Sequence, residues 1–332
     1  MKKVAVLGSG AWGTTLAQVM IDSGQQVLIW GRNKKVVREI NRRHSNRRFL
    51  KGIDLPRELK ATTDIKAVLE FAEVIVVAIP AQTLRENLVQ WKSFFPSNLP
   101  IISTLKGIEV ESQYRMTEVM QEVLGTDVSQ IGLITGPNLA NEIIARQPAG
   151  AVAASSNQEI IDLIVTLFST NYFRIYPSKD LIGCEFAGAA KSVIALAVGI
   201  AVGMGYGENT QGLMITRGLS EVARLGEAYG ANPLTFLGLA GIGDLVASAQ
   251  SPLSRNRSFG EVLGKSGSLE KAKQQIVKTV EGVYSAGAML ELAHRVGLEA
   301  PIIETVADVV AGSLKPKDAV ERLMKVSIKA EI

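Results

Sequence analysis

Residues 3–24 read KVAVLGSGAWGTTLAQVMIDSG. The apolar run Val4 to Leu7 passes straight into Gly8-Ser9-Gly10-Ala11-Trp12-Gly13, and Thr14 to Ile21 then carries apolar residues at helical spacing until Gly24 stops them. This strand-turn-helix order is what a dinucleotide site needs. Gly8 permits the tight turn, Gly10 lets a pyrophosphate approach the backbone, and Gly13 lets the helix lie close to the strand with its N-terminal amides facing the phosphates. Glycine-rich turns are common, so the motif is weak alone. Its position between a first strand and a first helix, ahead of a second strand at Val27 to Trp30, makes it specific.

Outward from this unit, short apolar runs alternate with longer helical patterns: Val74 to Ile79, Pro100 to Ser103, Ile131 to Thr135, Ala151 to Ala154 and Phe173 to Tyr176. Strand then helix, repeated, predicts an α/β Rossmann domain, a doubly wound and mainly parallel sheet with helices on both faces. From Asp180 the strand signal stops. Ile182 to Met204, Thr210 to Tyr229, Tyr284 to Val296 and Pro301 to Ala311 carry helix-spaced apolar residues. The reading is a Rossmann domain over residues 1–178 and an all-helical substrate domain over 179–332. They meet at Pro177-Ser178-Lys179, where proline halts a strand and serine caps the next helix.

A chain of 332 residues with 47% hydrophobic and 20% charged side chains has enough apolar surface for two cores, which excludes a disordered protein. The single cysteine, Cys184, excludes an intrachain disulfide, and with only two histidines beside it no structural zinc site is expected. The opening apolar run is broken by Gly8 and Gly10, which argues against a secretory signal. The apolar stretch Ser192 to Met204 is too short to span a membrane and reads as a buried helix. The expected location is the cytoplasm. The net charge of +4 hides an asymmetry, because Arg32 to Lys60 hold eleven Lys and Arg against Glu39, Asp54 and Glu58. That segment is +8 and the remainder −4, which points to an anionic partner nearby.

The end of the second strand decides between cofactors. An NAD-specific site usually places Asp or Glu there, but the sequence reads Trp30-Gly31-Arg32-Asn33-Lys34-Lys35. Arg32 is placed to meet a 2′-phosphate through a bidentate contact. The competing reading for the basic residues, Arg42, Arg43, Arg47 and Arg48 above all, is a solvated face or a nucleic-acid patch.

In the second half, Lys191 lies within Phe186 to Leu196, surrounded by small and apolar residues on all helical faces. Burial disfavours the charged form of an amine, and an amine so tuned exchanges protons at neutral pH. The alternative is a lysine that snorkels to the surface. Asp244 follows the turn Gly241-Ile242-Gly243, and Ser254-Arg255-Asn256-Arg257 opens a helix whose amides, guanidinium and carboxamide form a clamp for phosphate or carboxylate. A capping serine beside surface arginines is the bland reading. Lys106 and the Gly136-Pro137-Asn138 turn follow strands, at the carboxyl ends where open sheets bind ligands.

Together these landmarks resemble the bacterial NAD(P)-dependent glycerol-3-phosphate dehydrogenases over essentially the whole chain. The matching pieces are GSGAWG at Gly8, WGR at Trp30, LKGIE at Leu105, GPNLANE at Gly136, GAAKSVIA at Gly188, ITRGLSE at Ile215, AGIGDL at Ala240, LSRNRSFG at Leu253 and VEG at Val280. The resemblance implies reversible reduction of dihydroxyacetone phosphate to sn-glycerol 3-phosphate for phospholipid synthesis, with NADP(H) or NAD(H), by a homodimer. It implies Lys191 as general acid and base, Lys106 orienting the carbonyl and Asp244 holding the reacting end. Gly136, Asn138, Ser254, Arg255 and Asn256 match substrate positions. Ala11, Trp12, Arg32, Asn33, Phe49, Ala140, Thr279 and Glu281 match cofactor positions, which Lys106 and Arg255 share and which Gly8, Ser9, Gly10 and Gly13 complete.

Three places depart from the family pattern: Ser192 where asparagine is usual, Asn141 where lysine is frequent, and Ser248-Ala249-Gln250 in place of a Thr-Cys-Thr type segment. Ser192 matters most, because a shorter donor there weakens one substrate contact. Two alternatives are a sibling lysine-dependent dehydrogenase acting on a 3-hydroxy acid or ketopantoate, and an idle NADPH-binding sensor or nucleic-acid binder. The latter leaves Lys191 without a purpose.

Overall fold

The computed structural model describes residues 1–276 and 279–325. Among the described residues there are ten strands: β1 (Lys3–Leu7), β2 (Gln26–Trp30), β3 (Ser45–Asn46), β4 (Leu50–Asp54), β5 (Lys60–Thr62), β6 (Val74–Val77), β7 (Ile101–Ser103), β8 (Ile131–Thr135), β9 (Ala149–Ala154) and β10 (Phe173–Ser178). Eight form one sheet in the order β10-β9-β8-β7-β6-β1-β2-β5, and β3 pairs with β4 separately. Every pairing in the large sheet is parallel except β8 with β9. The expected doubly wound, mainly parallel sheet is therefore present, and so are the helices after it.

Alternate residues of the central strands face opposite cores. Val4, Val6, Val74 and Val76 join one apolar cluster under the helices Ala11–Asp22 and Gln158–Phe168, and Ala5, Leu7, Ile75 and Val77 join another under Leu84–Trp91 and Met116–Leu124. Burial on both faces, worth about 1.5–3 kcal/mol per large apolar side chain, explains why these strands read as continuous apolar runs.

The chain forms two compact units. One comprises residues 1–106 and 114–184, the other residues 107–113 and the chain from Glu185 onward. Among the described residues the second unit contains only helical elements. The helix Leu181–Gly203 is long and apolar enough to cross a membrane, but 83% of its most apolar window is buried inside the protein, so it is a core helix.

Several local expectations need correction. Strands β3, β4 and β5 fall in the basic segment, where lysines and arginines mask the pattern. β5 lies at the edge of the sheet, where charge is common. Its outward-facing residue Ala61 is covered by a side chain: Asn41 donates to the Ala61 carbonyl and accepts its amide, both at 2.8 Å. Pro177 does not halt β10 but lies inside it, and this is tolerated because β10 is the opposite edge strand. Ser178 is not the cap of the following helix. Asp180 is, accepting from the Gly183 amide at 2.8 Å.

In the second unit Glu221, 2% exposed, reaches from the helix Glu208–Ala228 to the start of the helix Pro301–Ala311. Its carboxylate accepts from the amides of Ile302 (2.9 and 3.1 Å) and Ile303 (3.2 Å), supplying the cap that Ala300 cannot. Burial pushes its carboxyl up to about 7, against the lowering pull of the two amides and of Arg224 and Arg217. A carboxyl raised in the native state stabilises fully below its ordinary value of 4.5, and that contribution is lost as pH rises through about 7. At roughly 1.4 kcal/mol per pH unit, about 3 kcal/mol is at stake. Urea titrations of the parent between pH 4.5 and 7 should show this decline, and Glu221→Gln, which cannot ionise, should lack it.

Candidate active site

In the first unit the glycine turn is set by close backbone contacts. Gly8 has φ +134°, and a Cβ there would lie 2.3 Å from the Ala78 carbonyl oxygen. A Cβ on Gly13 would lie 2.1 Å from the Gly8 oxygen, whereas nothing comes within 4 Å of one on Gly10. The helix Ala11–Asp22 begins at Gly10 with no side-chain cap and no acidic residue in its first turn. Its free amides beside an open Gly10 fit a pyrophosphate. Ser9 is buried, and Ala11 and Trp12 lie half-buried against the core.

The same unit holds several other residues singled out from the sequence. Arg32 is exposed at the end of β2, and Asn33 caps the helix Lys34–Arg43, accepting from Lys35 (2.9 Å) and Val36 (3.4 Å). Its carbonyl oxygen is thus committed to the helix and only its amide group is left for a ligand. Phe49 lies between β3 and β4 with the Arg48 guanidinium 5.5 Å from its ring. Lys106, after β7, donates to the Gly136 carbonyl after β8 at 2.8 Å. Both amide atoms of Asn138 are buried without a hydrogen-bond partner, an arrangement that demands a ligand or water. Ala140 accepts from Thr15 Oγ1 at 3.3 Å, which ties its loop to the first helix.

The second unit brings Lys191 and Asp244 together. Lys191 Nζ donates to Asp244 Oδ1 at 2.7 Å and to Ser248 Oγ at 2.9 Å. The carboxylate side chain is 1% exposed and the lysine side chain 15%. Lys191 therefore neither snorkels free nor sits among apolar groups alone, since a carboxylate and a hydroxyl hold it. Asp244 is aimed by a π-helical turn, Leu239–Gly243, that runs into the helix Asp244–Gln250. Ser248, quoted from the sequence only as a departure from the family pattern, belongs to this cluster. The signal for it is its place one turn after Asp244 on the same helix.

The clamp residues are partly engaged already. Ser254 caps the helix Arg255–Ser266 by accepting from the Arg257 amide at 3.4 Å, and Asn256 Oδ1 accepts from the Gly282 amide at 3.0 Å. Arg255 is exposed. Glu281 opens the helix Glu281–Arg295, and the next residue, Gly282, lies so close to the Ser192 carbonyl that a Cβ would be 2.5 Å from it. Thr279 is two residues earlier. Among the described residues no group of three or more His, Cys, Asp or Glu is arranged to hold a metal.

What fixes the helix that begins with Ser254, Arg255 and Asn256 against the helix of Lys191 is a glycine seam. Cβ atoms on Gly199 and Gly203 would lie 2.1 and 2.2 Å from the carbonyl oxygens of Arg257 and Glu261, and on Gly260 and Gly264 both 2.2 Å from those of Leu196 and Ile200. The helices Leu181–Gly203 and Arg255–Ser266 thus meet backbone on backbone along both.

The comparisons with known proteins follow this architecture. Residues 3–161 match the N-terminal and residues 180–321 the C-terminal model of NAD-dependent glycerol-3-phosphate dehydrogenase. The chain belongs to the NAD-dependent glycerol-3-phosphate dehydrogenase family. Glycerol-3-phosphate dehydrogenase (NAD(P)+) of Corynebacterium glutamicum is 47% identical over all 332 residues and its own full length. That of Streptomyces coelicolor is 46% identical over 99% of this chain and 98% of its own. The crystal structure of glycerol-3-phosphate dehydrogenase from Coxiella burnetii superposes with a TM-score of 0.93 at 33% identity, covering 98% of this chain and 99% of that one.

For this family member the seam yields a direct test. Alanine is the better helix former by about 1 kcal/mol, so any loss in Gly260→Ala measures the clash. A net destabilisation of about 2 kcal/mol or more is expected from overpacking a seam that cannot separate, read as a lower denaturation midpoint.

Proposed function

We propose that this protein is an NAD(P)-dependent sn-glycerol-3-phosphate dehydrogenase that interconverts dihydroxyacetone phosphate and sn-glycerol 3-phosphate. The observation that carries the reading is the Lys191–Asp244–Ser248 cluster, in a chain whose residues 3–161 and 180–321 match the two halves of the family. Residues 1–178 are assigned to the dinucleotide and 179–332 to the catalytic and phosphate-binding groups. We further assign the enzyme to the cytoplasm, as a homodimer whose product feeds phospholipid synthesis.

When bound, the reduced nicotinamide cofactor supplies a hydride to C2 of the ketone. Lys191 gives a proton to the carbonyl oxygen, completing the hydroxyl, and takes it back in the reverse direction. Asp244 and Ser248 hold Nζ in place for that transfer. Arg255 and Asn256 bind the phosphate. Asn256 presents the amide group left over from its contact with Gly282, and this remote binding energy orients the reacting carbon. Lys106, Gly136 and Asn138 are assigned as further substrate contacts. Gly8 to Gly13, Arg32, Asn33, Phe49, Ala140, Thr279 and Glu281 are assigned to the cofactor. The reaction class is tested by NADPH and NADH oxidation with dihydroxyacetone phosphate beside ketopantoate and unphosphorylated dihydroxyacetone. Turnover of either control at a comparable rate would overturn it.

Lys191→Met keeps the side-chain length and removes the proton. Turnover should fall about 10²- to 10⁴-fold, roughly 3–5 kcal/mol of barrier, while NADPH affinity measured by fluorescence stays within a few fold of the parent. Turnover within tenfold of the parent would remove Lys191 from the mechanism.

The exposed Arg32 replaces the acidic ribose ligand of an NAD-specific site, so NADPH should serve at least as well as NADH. Arg32→Asp should raise the KM for NADPH roughly 10- to 100-fold, the scale of a charged hydrogen bond, with a smaller change for NADH. Steady-state kinetics with both cofactors decides this.

A further inference from the structure

All eleven lysines and arginines between Arg32 and Lys60 are exposed, and none forms an ion pair among the described residues. Elsewhere the chain does pair its cations, as Arg85 with Glu122 and Arg146 with Asp22. The acids within the segment leave the charge standing. Glu39 is turned onto the chain itself, accepting from Ser45 Oγ and the Arg47 amide, both at 2.9 Å. An uncompensated charge of +8 within one segment repels itself and costs stability, so its persistence calls for an anion that visits it.

The structure ties this segment to the glycine turn at two points. Asn46 is fully buried, and its Nδ2 donates to the Ser9 carbonyl at 3.0 Å and to Thr14 Oγ1 at 2.9 Å. Arg47 and Arg48 follow it directly. At the end of β2, Gly31 presses on Ser9 so closely that a Cβ would lie 2.3 Å from Ser9 Oγ. Arg32 is the next residue. From there Lys34, Arg38 and Arg42 recur every four residues along the helix Lys34–Arg43 and line a groove of about 270 Å³ with Asn41 and Thr63. A stripe of unpaired cations thus begins at the turn whose amides are free and runs outward well past any residue assigned to touch the cofactor.

We propose that this face is an electrostatic collector for the phosphate-bearing dinucleotide. Cations beyond the contact residues raise the rate at which the cofactor reaches the glycine turn, without changing how long it stays. The proposal rests on the reading that this unit binds NAD(P)(H). The physics is that of a single-signed surface field, which accelerates association of an opposite charge by about 10- to 10³-fold at low salt and is screened as salt rises. Because a 2′-phosphate adds about −1.5 to −2 charge, the gain is larger for NADPH than for NADH, and the face contributes a kinetic preference on top of the contact at Arg32.

The experiment is stopped-flow mixing of the full-length protein with NADPH or NADH, read by quenching of tryptophan fluorescence; all three tryptophans, Trp12, Trp30 and Trp91, lie in the same unit. The variants are the triples of Arg38, Arg42 and Arg43 to Gln and to Glu, together with the pair Arg57→Gln and Lys60→Gln on a separate segment. At about 20 mM salt the association rate should fall roughly 3- to 10-fold in the Gln triple and further in the Glu triple. The Gln pair should act in proportion to its two charges, so a Glu triple that fails to fold leaves the test intact. Dissociation rates should stay within about twofold, the deficit should be smaller for NADH, and it should close near 0.5 M salt, where the screening length is about 4 Å. Unchanged association rates, a deficit that persists at high salt, or a change confined to dissociation would overturn the collector. A parent that shows no quenching by either dinucleotide would instead defeat the cofactor reading itself.

Discussion

Backbone resting on backbone is the constraint on which both units depend. In the first unit the carbonyl of Gly8 occupies the space a side chain on Gly13 would need, and in the second four glycines let the helices Leu181–Gly203 and Arg255–Ser266 share one seam. Each glycine inside a helix costs roughly 0.5–1 kcal/mol relative to alanine. The close approach returns dispersion contacts along the seam, and it also gives position. Lys191 lies on one side of this seam, and Ser254, Arg255 and Asn256 begin the other. The backbones that carry Lys191 and the start of the facing helix are thereby held at a separation that side-chain rotamers cannot change.

The part-buried pair of Lys191 and Asp244 is better understood as a positioning device than as a source of stability. Removing two charges from water costs several kcal/mol each, and their attraction does little more than offset it, whereas deleting one partner strands the other. Ser248 helps by accepting a second hydrogen bond from the ammonium, so that Nζ is directed by two oxygens instead of one. The π-helical turn before Asp244 adds to this. A Cβ on Gly241 would lie 2.1 Å from the Phe236 carbonyl, so the turn is locked before the carboxylate is reached.

How much of this was legible in the sequence depended on whether the partners were local. Strands β1 and β6 to β9 are readable because burial imposes an apolar pattern on the strand itself, and β2 and β10 through their β-branched and aromatic residues. β3, β4 and β5 are not, since what places them is Glu39 on Ser45 and Arg47, Asn46 on Ser9 and Asn41 on Ala61, contacts that leave no periodicity behind. Lys191 is legible as a charge within the small and apolar run Phe186 to Leu196, but its partners lie 53 and 57 residues further on. Gly199 and Gly203 lie in the apolar run Ser192 to Met204, where the sequence alone gives them no task. Their purpose emerges only opposite Gly260 and Gly264, which carry the same four-residue spacing on the facing helix.

The side chain of Asn41 gives β5 one more property. An edge strand offers its outward amides and carbonyls as a template for another chain, and here the outward-facing residue, Ala61, has both groups taken by a single carboxamide. The sheet is terminated from within by two hydrogen bonds rather than by a proline or a bulge. A mutation of Asn41 would leave the cluster of Lys191, Asp244 and Ser248 in the second unit untouched and reopen that edge. Its first symptom would be a tendency of folded molecules to stick together strand to strand, a solubility defect in a protein whose chemistry was still sound.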